Sequence, residues 1–478
     1  MLLIESHQIR PGDGRYAELE RITKLSNNLY NSALYQWRQA FFCGVGLPEY
    51  GDICHMFALS DNPDYRALPA KVAQQTIKGV FMALSSFQAL LRSENVEGWK
   101  GNIPNYRANG GRYTVIYTSQ AISKPELATE SIVRLSGTNV RVKTQQTASD
   151  VHQVRVVPHN GYITIEVVYE ATESSMIEDN GRYASIDAGV NNLATVGFNF
   201  RRGFIIRGGP LKSIIQYEAK KNAMLTRLLM DYREREMLKA GGVHGKAAVK
   251  EFRAEMKARR DELLRKMDEC RKNEEAGMSD EEKKERRRKR RNEKRRAKRR
   301  NAKLARMRAR QNAKRFTSKR KVALGRKCWN KQMDYMHKAS AKLVSHLVSN
   351  NVSVLFIGKN KNWKQEANLT RAAKQNFERM PIARFLDMVD YKCRLHGIRV
   401  VYVEESHTSK CSFLDGENIG HHDSYVGKRI KRGLFRSANG TLINADLNGA
   451  LNIMRKEIGD FNYPIEVCSA PVALAIKA

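Results

Sequence analysis

The chain has 478 residues, with 85 Lys and Arg against 50 Asp and Glu, for a net charge of +35. That excess points to a polyanionic partner, nucleic acid before an anionic membrane surface, because no apolar run approaches the roughly 20 residues of a spanning helix. The seven cysteines are scattered and form no CxxC pair, which argues against a disulfide framework and fits a reducing compartment.

Residues 1–12 read as a short strand and a turn. From about 15 to 92 the pattern is helical: Leu19, Ile22, Leu25 and Leu29 recur at three- and four-residue steps, as do Val80, Leu84, Phe87 and Leu91. Tyr30, Tyr35, Trp37, Phe41 and Phe42 add an aromatic group, expected to be mainly helical core, with a platform for stacking unpaired bases as the other reading. From residue 98 the composition turns to Gly and Pro and then to β-like alternation at 132–135, 140–142, 154–157 and 162–169. Several short strands with turns suggest a small barrel. If residues 1–12 contribute a strand to it, the helices are an insertion between strands.

A strand at 183–186 then ends in Asp187, and a Gly-containing turn leads into a second β-rich run at 193–198. A helical hairpin follows, interrupted at Gly241-Gly242. Next comes the extreme stretch, in which 14 of residues 283–300 are Lys or Arg. Like charges at helical spacing repel, so this run is expected to order on polyphosphate, with a nuclear-import signal as the other reading. An amphipathic helix at 329–350, a buried strand at 352–357, a helix at 379–396 ending at Gly397, and a strand at 398–403 follow. A helix opened by Asp446 completes the alternation of an α/β layer.

A carboxylate at the end of a buried strand is costly unless a cation meets it, either an Arg or a divalent metal. Phosphodiester cleavage with two ions needs three or four such acids, and oxygen ligands suit Mg²⁺ or Mn²⁺. Asp187 and Asp446 supply two. Of the strands between them, one ends at Gly358 without an acid and the other ends in Glu404-Glu405. The third ligand is therefore placed at Glu405, with Glu404 as the fallback.

Ten stretches, in order, resemble the transposon-associated TnpB proteins: NNLYNSALYQWRQAF, ALPAKVAQQT, WKGNIPNYR, IDAGVNNLAT, GGPLKSI, DYMHKAS, IGKNKNWKQ, EESHTSKCSFLDGE, GKRIKRGLF and LINADLNGALNI. The resemblance implies an RNA-guided DNA endonuclease related to type V CRISPR effectors. Its expected partners are a structured guide RNA and a double-stranded DNA target, without a membrane. It implies an α+β multidomain fold: a wedge-like N-terminal β-barrel (first strand at 1–14, remainder at 98–180), an inserted helical recognition domain (15–97), and a RuvC-like RNase H domain (181–478) with a strongly basic helical insertion (218–328). By matching motif, Asp187 is the first RuvC acid and Asp446 the last, holding two Mg²⁺ or Mn²⁺ ions with Glu405. Two departures stand out. Gly358 occupies the position where many members carry the middle Glu. The ribbon-like segment 408–442 keeps only Cys411, so zinc is not expected, although Cys411 with His407, His421 and His422 is the formal set. If the Glu405 position is inert, the implication changes to a nuclease-dead RNA-guided binder. The expected location is the nucleoid of a prokaryote, or the nucleus of a eukaryotic host.

Overall fold

The computed structural model describes residues 1–92, 102–240, 245–275, 318–359, 378–464 and 470–476. The basic run 283–300, and with it most of the segment 280–325, lies outside the described residues, as do parts of the WKGNIPNYR and IGKNKNWKQ stretches.

Strand β1 (Leu2–Ile9) is followed by helices α1 (Tyr16–Cys43), α2 (Tyr50–Leu59), α3 (Pro63–Arg66) and α4 (Ala70–Arg92). Then come β2 (Val115–Thr118), α5 (Lys124–Glu130), β3 (Ile132–Arg134), β4 (Arg141–Lys143), β5 (Val151–His159) and β6 (Tyr162–Glu170). The four longer strands make an antiparallel sheet in the order β1-β6-β5-β2, so the chain leaves the sheet after β1, builds four helices, and returns. Val154 and Val156 with Ile163, Ile165 and Val167 turn one face of the sheet into a core. Leu19, Ile22 and Leu29 of α1 and Val72, Ile77 and Val80 of α4 fill the same core. Helix α1 stops at Gly44, whose φ of 69° is the left-handed conformation that a glycine adopts without steric cost. Among the described residues, strands β3 and β4 pair only with each other. The Glu5 carboxylate on edge strand β1 ties down the loop after β4, accepting from Thr144 Oγ1 and Gln146 Nε2 at 2.9 Å each and from the Gln145 backbone at 3.1 Å.

The second sheet begins with β7 (Tyr183–Asp187), β8 (Asn192–Phe198) and β9 (Phe204–Arg207), an antiparallel meander. Helices α6 (Gly209–Ala240) and α7 (Gly245–Glu275) follow. After them come α8 (Lys319–Ser349), β10 (Val354–Gly358), α9 (Ile382–Leu395) and β11 (Arg399–Val403). Strand β10 lies parallel to both β7 and β11, as helical crossovers require. A hairpin-like trio, β12 (Lys428–Lys431), β13 (Leu434–Arg436) and β14 (Leu442–Asn444), leads into α10 (Ala445–Ile458). Strand β15 (Val472–Leu474) then adds in parallel to β9, giving the order β11-β10-β7-β8-β9-β15. Of the apolar residues of α6 and α7, Leu211 and Ile215 at the start of α6 are buried, whereas Leu228, Met256 and Leu263 further along are exposed.

Strand alternation assigns the two faces of this sheet. Leu355 and Ile357 join Met336, Leu343, Phe385 and Val389 of α8 and α9, whereas Val354 and Phe356 join Ile453 and Met454 of α10. On β7, Tyr183 lies on the α10 face, and the Ser185 hydroxyl donates to Ala450 O at 2.6 Å. On β11, Val401 and Val403 share that face.

Candidate active site

The same two-residue period carries on past the strand ends. Residue 187 follows 183 and 185 onto the α10 face, and residue 405 follows 401 and 403. Parity therefore separates the two candidate glutamates. Glu404 is exposed, and its carbonyl accepts from Lys456 Nζ at 2.8 Å, while the Glu405 carboxyl turns inward. Burial pushes the Glu405 carboxyl up to about 7.

Room for Glu405 comes from Gly358 at the end of β10. A Cβ on residue 358 would overlap the Glu405 carboxylate and stand 2.6 Å from both Glu405 Cγ and Ile453 Cδ1. The φ of Gly358 is not positive, so the backbone does not demand glycine there; the neighbouring side chain does. The missing acid of one strand and the extra acid of the next thus describe a single volume. Gly449 plays a similar part for the other pair, since a Cβ there would stand 2.9 Å from Asp187 Oδ2.

Asp446 sits in the first turn of α10, whose N-terminus is capped by Asn444; the Asn444 side chain accepts from Asp446 N at 3.0 Å and Leu447 N at 3.1 Å. The two Asp446 oxygens accept from Arg429 Nη2 at 3.2 Å and Asn192 Nδ2 at 2.7 Å. Asp187 is held well above the ordinary carboxylate range, first by burial and then by the negative charges of Glu405 and Asp446, with Arg429 opposing them. Asp187 therefore lies within electrostatic reach of both Glu405 and Asp446. Asp187 and Asp446 line a cavity of about 470 Å³ with Asn192, Thr195, Arg429 and Arg432. Glu405 lines a smaller one beside Ala188 and Gly358.

Two further observations bear on a metal. Thr195 Oγ1, on the residue paired with Asp187, is buried without a hydrogen-bond partner. Asp187 is buried beside two other acids, with Arg429 as the cation that opposes them. An oxygen-rich pocket with an orphaned hydroxyl fits a hard divalent cation. Among the described residues, no three Asp, Glu, His or Cys side chains already stand in a ligating group, and Asp446 is turned toward Arg429 and Asn192.

The ribbon-like segment is organised by hydrogen bonds. Glu417 accepts from Ser412 N at 2.6 Å and Val426 N at 2.9 Å, and Asn448 and Asn452 both donate to Cys411 O. Cys411 is buried and free; His422 contacts Asn418 O, and His407 contacts Tyr425. Sequence reasoning assigned no role to Asn192, Thr195, Arg429 or Arg432. The only signal for them was their place inside IDAGVNNLAT and GKRIKRGLF.

Residues 383–453, which include Glu405 and Asp446, match the family described as Cas12f1-like, TNB domain. The TnpB-like protein ORF457 of Acidianus two-tailed virus is 32% identical over 124 residues, covering 24% of this chain and 24% of that protein. The CRISPR-associated endodeoxyribonuclease Cas12f2 of Micrarchaeota archaeon (strain CG1_02_47_40) is 30% identical over 137 residues, covering 27% of this chain and 24% of that protein. The matches span about a quarter of the length of these curated relatives. A solved Cas12f1–sgRNA–target DNA complex aligns with 91% of this chain and 82% of its own at a TM-score of 0.45 and 12% identity. CasPhi-2 (Cas12j) bound to crRNA and phosphorothioate DNA aligns with 64% of this chain and 52% of its own at a TM-score of 0.33 and 12% identity. The chain thus carries a Cas12f1-like TNB domain and is homologous to TnpB-like and Cas12f2 proteins.

Proposed function

We propose that this protein is a transposon-encoded, RNA-guided DNA endonuclease with a RuvC-like RNase H domain from residue 181 onward. The strand order β11-β10-β7-β8-β9, with two parallel additions to an antiparallel meander, supports the RNase H reading. Residues 1–14 and 98–180 form its wedge and residues 15–97 its recognition part, a reading supported by the pairing of β1 with β6 across the helical insertion. The observation that carries the cleavage reading is the placement of Glu405 in space left by Gly358, with Asp187 within electrostatic reach of both Glu405 and Asp446.

Asp187, Glu405 and Asp446 would hold a pair of Mg²⁺ or Mn²⁺ ions, which when bound supply Lewis acidity to the scissile phosphate and its attacking water. Asn192 orients Asp446, and Gly449 lets α10 approach Asp187 closely. Arg429 pairs with Asp446 at 3.2 Å and lines the cavity that a DNA strand would enter. A structured guide RNA and a double-stranded DNA target are the proposed partners, supported by the +35 charge and by the sgRNA and target DNA of the Cas12f1 complex. Location on the nucleoid, or in the nucleus of a eukaryotic host, follows from that partnership.

The test is cleavage of plasmid DNA carrying a randomised flanking library, using protein purified with its own co-transcribed RNA. Mg²⁺-dependent breaks with 5′ phosphates, lost in Asp187→Ala, are expected. Equal cleavage by Asp187→Ala would overturn the site assignment. A second reading, guided binding without cleavage, draws on the engagement of both Asp446 oxygens by Arg429 and Asn192. In that case RNA-dependent DNA binding survives with no breaks in any divalent ion.

A further inference from the structure

The aromatic group of α1 divides in two. Tyr30 and Trp37 are core, at 5% and 2% exposure, but Phe42 is 64% exposed and Tyr35 50%. The outer rings are not scattered. Phe41 stacks on the buried Trp37 with centroids 5.4 Å apart and planes at 16°, and Phe42 meets Phe41 edge-on at 5.4 Å. The Arg38 guanidinium lies 5.4 Å from the Phe42 ring centre and 5.0 Å from that of Tyr106, so it is shared by the two rings. Arg107 repeats the motif, 4.2 Å from the Tyr113 ring and 5.3 Å from that of Tyr30.

The loop that brings Tyr106 and Arg107 to the helix is fastened to it. Asn31 donates to Arg107 O at 3.1 Å and accepts from Arg107 N at 2.9 Å, and Arg38 donates to Pro104 O at 2.7 Å. On another face of α1, towards α2, a groove of about 510 Å³ has an apolar floor of Ala40, Val45 and Met56 and two carboxamides, Gln36 and Gln39. Its one acid, Asp52, has an oxygen committed to Glu49 N in the cap of α2.

We infer that the aromatic surface binds unpaired nucleobases, which stack on Phe42 and Tyr106 on either side of the guanidinium that the two rings share. Alternating aromatic and guanidinium planes suit a single strand, because every base has a π-face and every intervening phosphate a negative charge. A duplex hides its base faces and gains only the charge. A second copy of this chain fits less well, since a self-complementary contact would set Arg38 and Arg107 against their own counterparts. The inference stands apart from the carboxylate cluster and does not depend on cleavage.

The test uses the full chain and oligonucleotides of about a dozen nucleotides carrying a central 2-aminopurine, as single-stranded RNA, single-stranded DNA and duplex DNA. The single strands are expected to bind with quenching of 2-aminopurine, and comparing RNA with DNA identifies the natural source. Phe42→Ala and Tyr106→Ala should each weaken single-strand binding about 5- to 100-fold, the effect of losing one base–aromatic stack. Phe42→Trp should restore it, and duplex binding should stay unchanged. Phe42 is exposed, so its variants keep the fold, which melting curves will register. Three results would overturn the inference: wild-type affinity in both alanine variants, equal losses for single strands and duplex, or a wild-type dimer that Phe42→Ala dissociates.

Discussion

Gly358→Ala offers the sharpest test of the carboxylate arrangement. Replacing a strand glycine with alanine ordinarily gains about 0.5–1 kcal/mol, because the unfolded chain loses freedom. Here the sign should reverse. The new methyl group would overlap the Glu405 carboxylate and press on Ile453 at 2.6 Å, in a core where β10 is buried throughout. Overpacking of this kind costs about 1–3 kcal/mol, and the cheapest relief is to expel the Glu405 side chain from its place. A displacement of about 1 Å in such a group lowers turnover about 10²-fold. Gly358→Ala should therefore melt earlier than the parent and cleave about 10²-fold more slowly. The double variant Gly358→Glu with Glu405→Gly, which moves the acid to the neighbouring strand, should recover part of the loss. Chemical denaturation and single-turnover plasmid cleavage measure both quantities. A Gly358→Ala protein as stable and as active as the parent would refute the reasoning.

Asp187→Ala should abolish cleavage while retaining RNA and DNA binding in gel shifts, and Glu404→Gln, on the exposed side of the strand end, should match the parent in both. Glu405 should make the metal-free chain less stable as pH rises. Its folded value of about 7 lies above the ordinary 4.5, so the native state holds the proton more tightly; stability present below 4.5 is lost as pH rises through 7. Against Glu405→Gln, which cannot titrate, the decline should reach about 3 kcal/mol in chelator and shrink when Mg²⁺ is added. Parallel pH curves for the two proteins would contradict the buried position of this group. Glu417→Ala should leave the Ser412 and Val426 amides without an acceptor, at about 1–3 kcal/mol each, and hydrogen exchange over 411–427 should rise locally.

The candidate acids could be picked out of the sequence because they sit where regular elements end. Asp187 closes an apolar run and Asp446 opens a helix, and both signals are local. Helix α9 was legible for the same reason, from its period and from Gly397, whose φ of 71° follows the last turn. The choice between Glu404 and Glu405 was not legible. It depends on which face of the sheet α10 covers, and that is set by packing between residues about 50 positions apart. The role of Gly358 is invisible for a related reason, since an absent side chain has meaning only beside the neighbour that fills its space. Strand β15 eluded the reading because a three-residue addition to a sheet edge has too little pattern to show a period. The aromatic group of α1 was half correctly read as core. A helical repeat locates a buried stripe but does not say where it stops, and Phe41 and Phe42 lie past that point.

The asparagines of α10 carry a mechanical consequence. Asn452 donates to both Thr408 O and Cys411 O, Asn448 to Cys411 O, and Lys456 to Glu404 O, so the stretch after β11 is riveted to the helix at three places. Ser185 fastens the same helix to β7. The elements that carry Asp187, Glu405 and Asp446 are thereby bolted to one chassis. Arg429 reaches Asp446 from the β12–β13 arm, which belongs to a separate small sheet, so it stands outside that chassis as a latch.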